Sequence, residues 1–176
     1  EFIAEDAALV KIMQGFTLTT PNGGEKWTAG HTEKIVWKTA GKSDWVRLEY
    51  ANPSNAAQPF IGPMPKPEVT AAPAEAWDLI AERVQNGGVY DWKLQEQNSR
   101  EFLVRVTDAL DPDASDVSDN FFEIKPELIL SRPVGGEPFQ IGSDAEILWN
   151  TVGTVSSVRI QYSTDGFQRD IRTISE

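Results

Sequence analysis

Carboxylates are the chemically versatile side chains in best supply here. Asp108, Asp111, Asp113, Asp116 and Asp119 crowd into twelve residues, with Pro112 and Ser115 between them. Calcium takes roughly six to eight oxygens from a flexible loop, and the Asp-x-Asp-x-x-Asp spacing of Asp111, Asp113 and Asp116 could supply several. The loop lacks the glycine and terminal Glu of an EF-hand. The same residues also read as a solvated turn in which Ser and Asp side chains cap backbone amides, and this reading is the heavier. Calcium is the one cofactor the pattern suggests.

Other catalytic constellations are thin. A carboxylate pair can hydrolyse a glycoside, but Glu25 and Glu137 each follow a Gly-Gly pair in two matching stretches, which fits entry into a strand. His31 is the only histidine and lies in a Gly30-His31-Thr32 turn, so neither a Ser-His-Asp triad nor a zinc centre is expected. With no cysteine, a disulfide framework and thiolate metal ligation are both excluded. Trp45 shares a strand face with Arg47 and Glu49. An outward Trp either stacks on a sugar ring or buries against a neighbouring domain, and the second is preferred here.

Over the whole chain, 27 Asp+Glu against 16 Lys+Arg give a formal charge of -11. Such a surface repels phosphate backbones, so no nucleic-acid partner is expected. The chain is 40% hydrophobic, with 6 Trp and 8 Phe, enough to fill a core. No apolar run approaches the ~18–20 residues that span a bilayer, so no membrane insertion is expected. Asn52-Pro53-Ser54 is blocked by its proline as a glycosylation acceptor.

An internal repeat organises the chain. Leu18–Tyr50 lies on Leu130–Tyr162 without a gap, at the 112-residue interval that separates Pro21 from Pro133. In this register Gly23-Gly24-Glu25 meets Gly135-Gly136-Glu137, and Gly30 meets Gly142. Ile35 and Trp37 meet Ile147 and Trp149, and Val46-Arg47 and Tyr50 meet Val158-Arg159 and Tyr162. That interval is near the ~100 residues of a sandwich domain and far above solenoid periods. The second copy holds only the front half of such a domain, which would leave an open edge and an uncovered apolar face. The expectation follows that the polypeptide continues beyond Glu176.

Alternation predicts strands. Ile35 and Trp37 point one way; Val46, Leu48 and Tyr50 point together, with Arg47 and Glu49 opposite. Tyr90, Trp92 and Leu94 alternate, as do Phe102, Val104 and Val106, and Phe122 and Ile124 close the first copy. Trp37 and Trp149 are read as core residues, and Trp27 and Phe139 as structural. Six of the 11 prolines fall between Pro53 and Pro73, a density that no central strand accommodates. This stretch is read as an extended surface loop particular to the first copy. Trp77, Ile80, Ala81 and Val84 have helical spacing, but a strand over Trp77–Arg83 is preferred. Pairing Trp77 with Phe167 would give the first copy 22 extra residues.

These residues resemble a known extracellular module. Pro21-Asn22-Gly23-Gly24-Glu25-Lys26-Trp27, Gly30 and Ile35-Val36-Trp37 look like the opening "PNGGE-x-W…G…I-x-W" of an Ig-like domain found in tandem in bacterial and archaeal surface proteins. A related form occurs in Ser/Thr-rich, lipid-anchored cell-wall proteins. Tyr90-Asp91-Trp92, and Ser115-Asp116-Val117-Ser118-Asp119 followed by Phe122 and Ile124, match later parts of the pattern. Leu94-Gln95 stands where the family usually has Val-Pro.

The expected fold class is all-β, tandem immunoglobulin-like β-sandwiches with the second incomplete. Residues 1–15 are expected to be a linker or tail, 16–125 the first sandwich with its proline-rich insertion at 53–73, and 126–176 half of a second. The resemblance implies a non-catalytic structural or assembly module, extracellular and at the cell surface or envelope, with an S-layer or stalk-like protein as the preferred parent. The expected partners are neighbouring modules and other copies of the same protein, and a cell-surface glycan under the alternative reading. That alternative is a carbohydrate- or ligand-binding accessory module of a secreted enzyme.

Overall fold

A computed structural model describes residues 15–53 and 77–175. The fold is all-β. In the first unit the strands are β1 (Gly15–Thr20), β2 (Lys26–Thr28), β3 (Thr32–Ala40), β4 (Trp45–Ala51), β5 (Asp78–Gln85), β6 (Val89–Lys93), β7 (Ser99–Asp108), β8 (Ser115–Val117) and β9 (Phe122–Lys125). In the second they are β10 (Glu127–Arg132), β11 (Leu148–Val152), β12 (Ile160–Ser163) and β13 (Ile171–Ser175).

The first unit closes as a sandwich. One sheet has the order β1-β3-β6, the other β2-β9-β7-β4-β5, with β8 beside β7. All these pairings are antiparallel except β2 with β9. Residues that alternate along the sequence meet between the sheets: Leu18, Ile35, Trp37 and Trp92 from one, Val46, Leu48, Tyr50, Phe102, Val104, Val106, Phe122 and Ile124 from the other. Five aromatics form a closed ring through this core. Trp27 contacts Trp92 and Phe122 at centroid distances of 6.2 and 4.9 Å, Phe102 contacts Phe122 and Tyr50 at 5.7 and 6.1 Å, and Tyr50 returns to Trp92 at 5.4 Å. Such pairs contribute about 0.5–1.5 kcal/mol beyond their buried area. The indole N–H of Trp37 stays satisfied inside the fold by donating to Asn86 Oδ1 at 2.8 Å.

The β10–β11 ladder repeats β1–β3 residue for residue, and β12–β13 repeats part of β4–β5. Leu18↔Trp37 and Leu130↔Trp149 are matched pairs, and both ladders shift register at the same place, after Leu18 and Leu130. The peptide bonds Thr20-Pro21 and Arg132-Pro133 are both cis. Tyr50 pairs with Asp78 and Tyr162 with Arg172, each after the same irregularity. The partners Asp78 and Arg172 are 94 residues apart, so the first unit holds 18 extra residues, not 22, and Trp77 corresponds to Ile171. Phe167 belongs instead to the β12–β13 turn, where its φ is 62°. The segment around Trp77–Arg83 is strand, as preferred. The proline-rich stretch from residue 54 onward and residues 1–14 lie outside the described residues.

Burial separates the two units. Trp37 is 2% exposed and Trp149 38%; Tyr50 is 3% exposed and Tyr162 44%. Trp149 therefore faces inward without being enclosed, a correction to its reading as a core residue, and Phe139 beside it is 48% exposed. The cause is direct: β6, β7 and β9, which cover Trp37 and Tyr50, have no counterparts over β10–β13 among the described residues.

Candidate functional site

The acidic loop lies between β7 and β9. Asp108 is 5% exposed, and its Oδ1 accepts the N–H groups of Leu110 at 2.7 Å and Asp111 at 3.0 Å. Burial alone would raise its pKa, but hydrogen bonds from the Ser43 hydroxyl and these two amides outweigh it and hold the carboxyl below its ordinary value. Asp111 Oδ1 accepts Asp113 N–H at 3.3 Å. Asp116 turns away from both: its Oδ2 accepts the backbone N–H of Leu18 at 2.7 Å, tying β8 to β1. Asp119 Oδ2 accepts from Asn22 Nδ2 at 2.9 Å, while its own N–H donates to Asn22 Oδ1. Among the described residues no three His, Cys, Asp or Glu side chains gather as a metal site. Asp111, Asp113 and Asp116, the candidate calcium ligands, do not gather: Asp111 caps the Asp113 amide within the loop, while Asp116 reaches across to Leu18 on β1.

The repeated glutamates have the same local task. Glu25 Oε1 and Oε2 accept the N–H groups of Asn22 and Gly23, each at 2.8 Å. Glu137 does the same for Val134 and Gly135, each at 2.7 Å, and these amides hold its carboxyl below the usual value. In the first unit this turn carries the chain from β1 in one sheet to β2 in the other. Gly23, at φ 126°, sits so close to Asn120 that an added Cβ would lie 2.5 Å from the Asn120 Cβ. Gly23 is thus held both by its backbone angle and by close packing.

On the face of β4 and β5 away from the core, Trp45 and Trp77 are each matched with an arginine. Arg83 stacks on Trp45, 37% exposed, at 4.6 Å, and Arg105 on Trp77 at 4.4 Å. The two indoles stand near opposite ends of the β4–β5 ladder, Trp45 facing Gln85 and Trp77 preceding the partner of Tyr50. They do not form a continuous sugar-stacking strip. Between them lies Glu49, 4% exposed, gripped by Arg105 at 2.6 Å and Arg47 at 3.0 Å.

The run Lys125-Pro126-Glu127 reads in the sequence as a short, stiff junction, and the structure adds the side chains that meet across it. Pro126 alone separates β9 from β10. Asn98, in the β6–β7 loop, accepts Thr154 N–H at 2.6 Å. Val152 packs on the first unit's core, and a Cβ on Gly30 would lie 2.9 Å from Val152 Cγ1. His31 Nε2 stands 3.2 Å from Glu127 Oε2, so the lone histidine serves the junction. Lys93 donates to the Gly30 carbonyl beside it. Of these contact residues, Glu127 belongs to that run, whereas Asn98 carried no signal in the sequence.

No family model matches this chain, and no curated protein does. Among solved structures it is similar to fibronectin(III)-like modules of Clostridium thermocellum CbhA, at 14% identity over 67% of this chain and 52% of that one, with a TM-score of 0.33. The chain spans about half the length of that structure.

Proposed function

We propose that this protein is a non-catalytic spacer and assembly element of an extracellular cell-surface structure, an S-layer or stalk-like array of the kind its "PNGGE-x-W" repeats resemble. The observation that carries this reading is the junction. A one-residue proline link, an inserted valine and two polar contacts fix one unit against the next, where a flexible tether would let them swing. The acidic surface favours solubility in a crowded assembly. In the β7–β9 loop Asp108, Asp111 and Asp116 accept backbone amides and Asp119 pairs with the Asn22 side chain.

The absence of cysteine makes the test clean. Spin labels on Lys42→Cys and Gln168→Cys report the distance between units by pulsed electron resonance. A stiff element gives one narrow distance distribution, broadened when Asn98→Ala and Val152→Gly are added. A distribution already broad without those changes would count against the spacer reading.

A further inference from the structure

We infer that the Asn22-Gly23 bond is a site of spontaneous backbone modification, deamidation through a cyclic imide, and that the Glu25 carboxylate sets its rate by holding the Gly23 amide. An asparagine loses its side-chain amide when the next residue's backbone nitrogen gives up its proton and attacks Cγ. The new C–N bond closes the imide and ammonia leaves. Water then opens the ring to aspartate or to isoaspartate. A following glycine favours the step, because no Cβ hinders the approach. The chain holds two Asn-Gly steps, Asn22-Gly23 and Asn86-Gly87.

At the first step the glycine is obligatory. Gly23 has φ of 126°, and an added Cβ would lie 2.5 Å from Asn120 Cβ. The asparagine is not required by the turn itself. The second unit builds the same turn with Val134 before Gly135, where Glu137 accepts the same two amides. What Asn22 adds is a clasp: its Nδ2 donates to Asp119 Oδ2 and its Oδ1 accepts Asp119 N–H, each at 2.9 Å. The clasp joins the β1–β2 turn to the segment after β8, and it brings a labile bond with it.

Both partners of the reaction are restrained. Gly23 N–H donates to Glu25 Oε2 at 2.8 Å. Removing that proton would set a negative nitrogen against a carboxylate, which like-charge repulsion opposes. The Asp119 bonds keep the Asn22 amide turned toward the neighbouring segment. At Asn86 the restraints are of another kind: its side chain bonds to Trp37, Thr39 and Ser43, and Gly87 N–H donates to the Gln85 carbonyl. Once Asn22 is hydrolysed, a carboxylate replaces the donor that faced Asp119, and isoaspartate also lengthens the backbone of a close-packed turn. The clasp opens and does not re-form, so the first unit ages irreversibly from this point.

The test follows isoaspartate at each site by peptide mapping and mass spectrometry, with the 176-residue chain held in mildly alkaline buffer, folded and in urea. In urea the two sites should react at similar rates. In the folded chain Asn22 should be slowed at least about tenfold, and Glu25→Gln should restore about tenfold or more at Asn22 while Asn86 stays constant. Glu137→Gln, in the turn without an asparagine, should change neither site. An unchanged Asn22 rate in Glu25→Gln overturns the proposal, and so does a slower one, which would make the carboxylate the base that takes the Gly23 proton. If Asn86 accelerates in step, the whole unit has opened, and the decision passes to the unaltered chain. There, base-catalysed hydrogen exchange of the Gly23 amide needs the same loss of a proton. Exchange slowed about tenfold or more against the urea state supports the assignment, and exchange as free as in urea overturns it.

Discussion

At Glu49 alternation gave the direction of a side chain but not its surroundings. The β4 pattern sets Arg47 and Glu49 opposite the core, and the structure keeps them there. Yet Glu49 is nearly inaccessible, held between two guanidinium groups, one of which also stacks on Trp77. A sequence period of two tells which face a residue occupies and nothing about what crosses that face from other strands. Arg105, 56 positions away from Glu49 and paired with it across β4–β7, carried no sequence signal for its double role. Removing it would leave a buried carboxylate with a single, partly exposed partner. Arg105→Ala should therefore lower stability by about 2–3 kcal/mol, read from urea unfolding, while Arg47→Ala should cost about 1 kcal/mol or less.

At the scale of elements, turns were more legible than hairpin lengths. The Asn-Gly-Gly-Glu pattern announced a turn by its glycines, and its second appearance announced that the turn mattered. That the glutamate carboxylate is the turn's fastener follows only from three-dimensional reach. The extra length of the first unit was misjudged because Phe167 seemed a natural partner for Trp77. In the fold Phe167 sits in a left-handed turn organised by Asp165, whose carboxylate accepts the N–H groups of Gln168, Arg169 and Asp170. Similarly, five aspartates close in sequence suggested one site, but Asp108 closes β7, Asp111 and Asp113 lie in the turn after it, Asp116 in β8 bonds to β1, and Asp119 after β8 bonds to Asn22 of the β1–β2 turn. Asp108 gives this arrangement a pH signature. Its folded pKa is depressed, so its contribution is fully present above the ordinary carboxylate value and is lost as pH falls through the lower folded value. Urea midpoints measured at about pH 5 and pH 2.5 should fall further for the native chain than for Asp108→Asn, which keeps an acceptor oxygen but no titration.

For the whole molecule, the repeat made the architecture legible, because tryptophan, proline and glycine recurred at a single interval. The half-length of the second copy also implied an uncovered apolar face, and the structure shows which residues bear it, so that two matched positions carry unequal energetic weight. Trp37 and Trp149 share register, bulge and strand partner, but only one is enclosed. Trp37→Phe loses a buried hydrogen bond and packed volume, so unfolding of the first unit should become easier by about 2–3 kcal/mol. Trp149→Phe should change the same transition by less than about 0.5 kcal/mol. Fluorescence-detected denaturation of both variants checks the asymmetry.

Pro126 has a mechanical consequence. With no slack between β9 and β10, a pull applied along the chain reaches β9 at once. There it acts parallel to the strand, against β2 on one side and β7 on the other. Lys26, Trp27 and Thr28 run alongside Glu123, Ile124 and Lys125 in the same direction, so their hydrogen bonds are loaded together in shear. The tug that would unzip a hairpin one rung at a time here meets several rungs simultaneously, and the first unit behaves as a tension-bearing link.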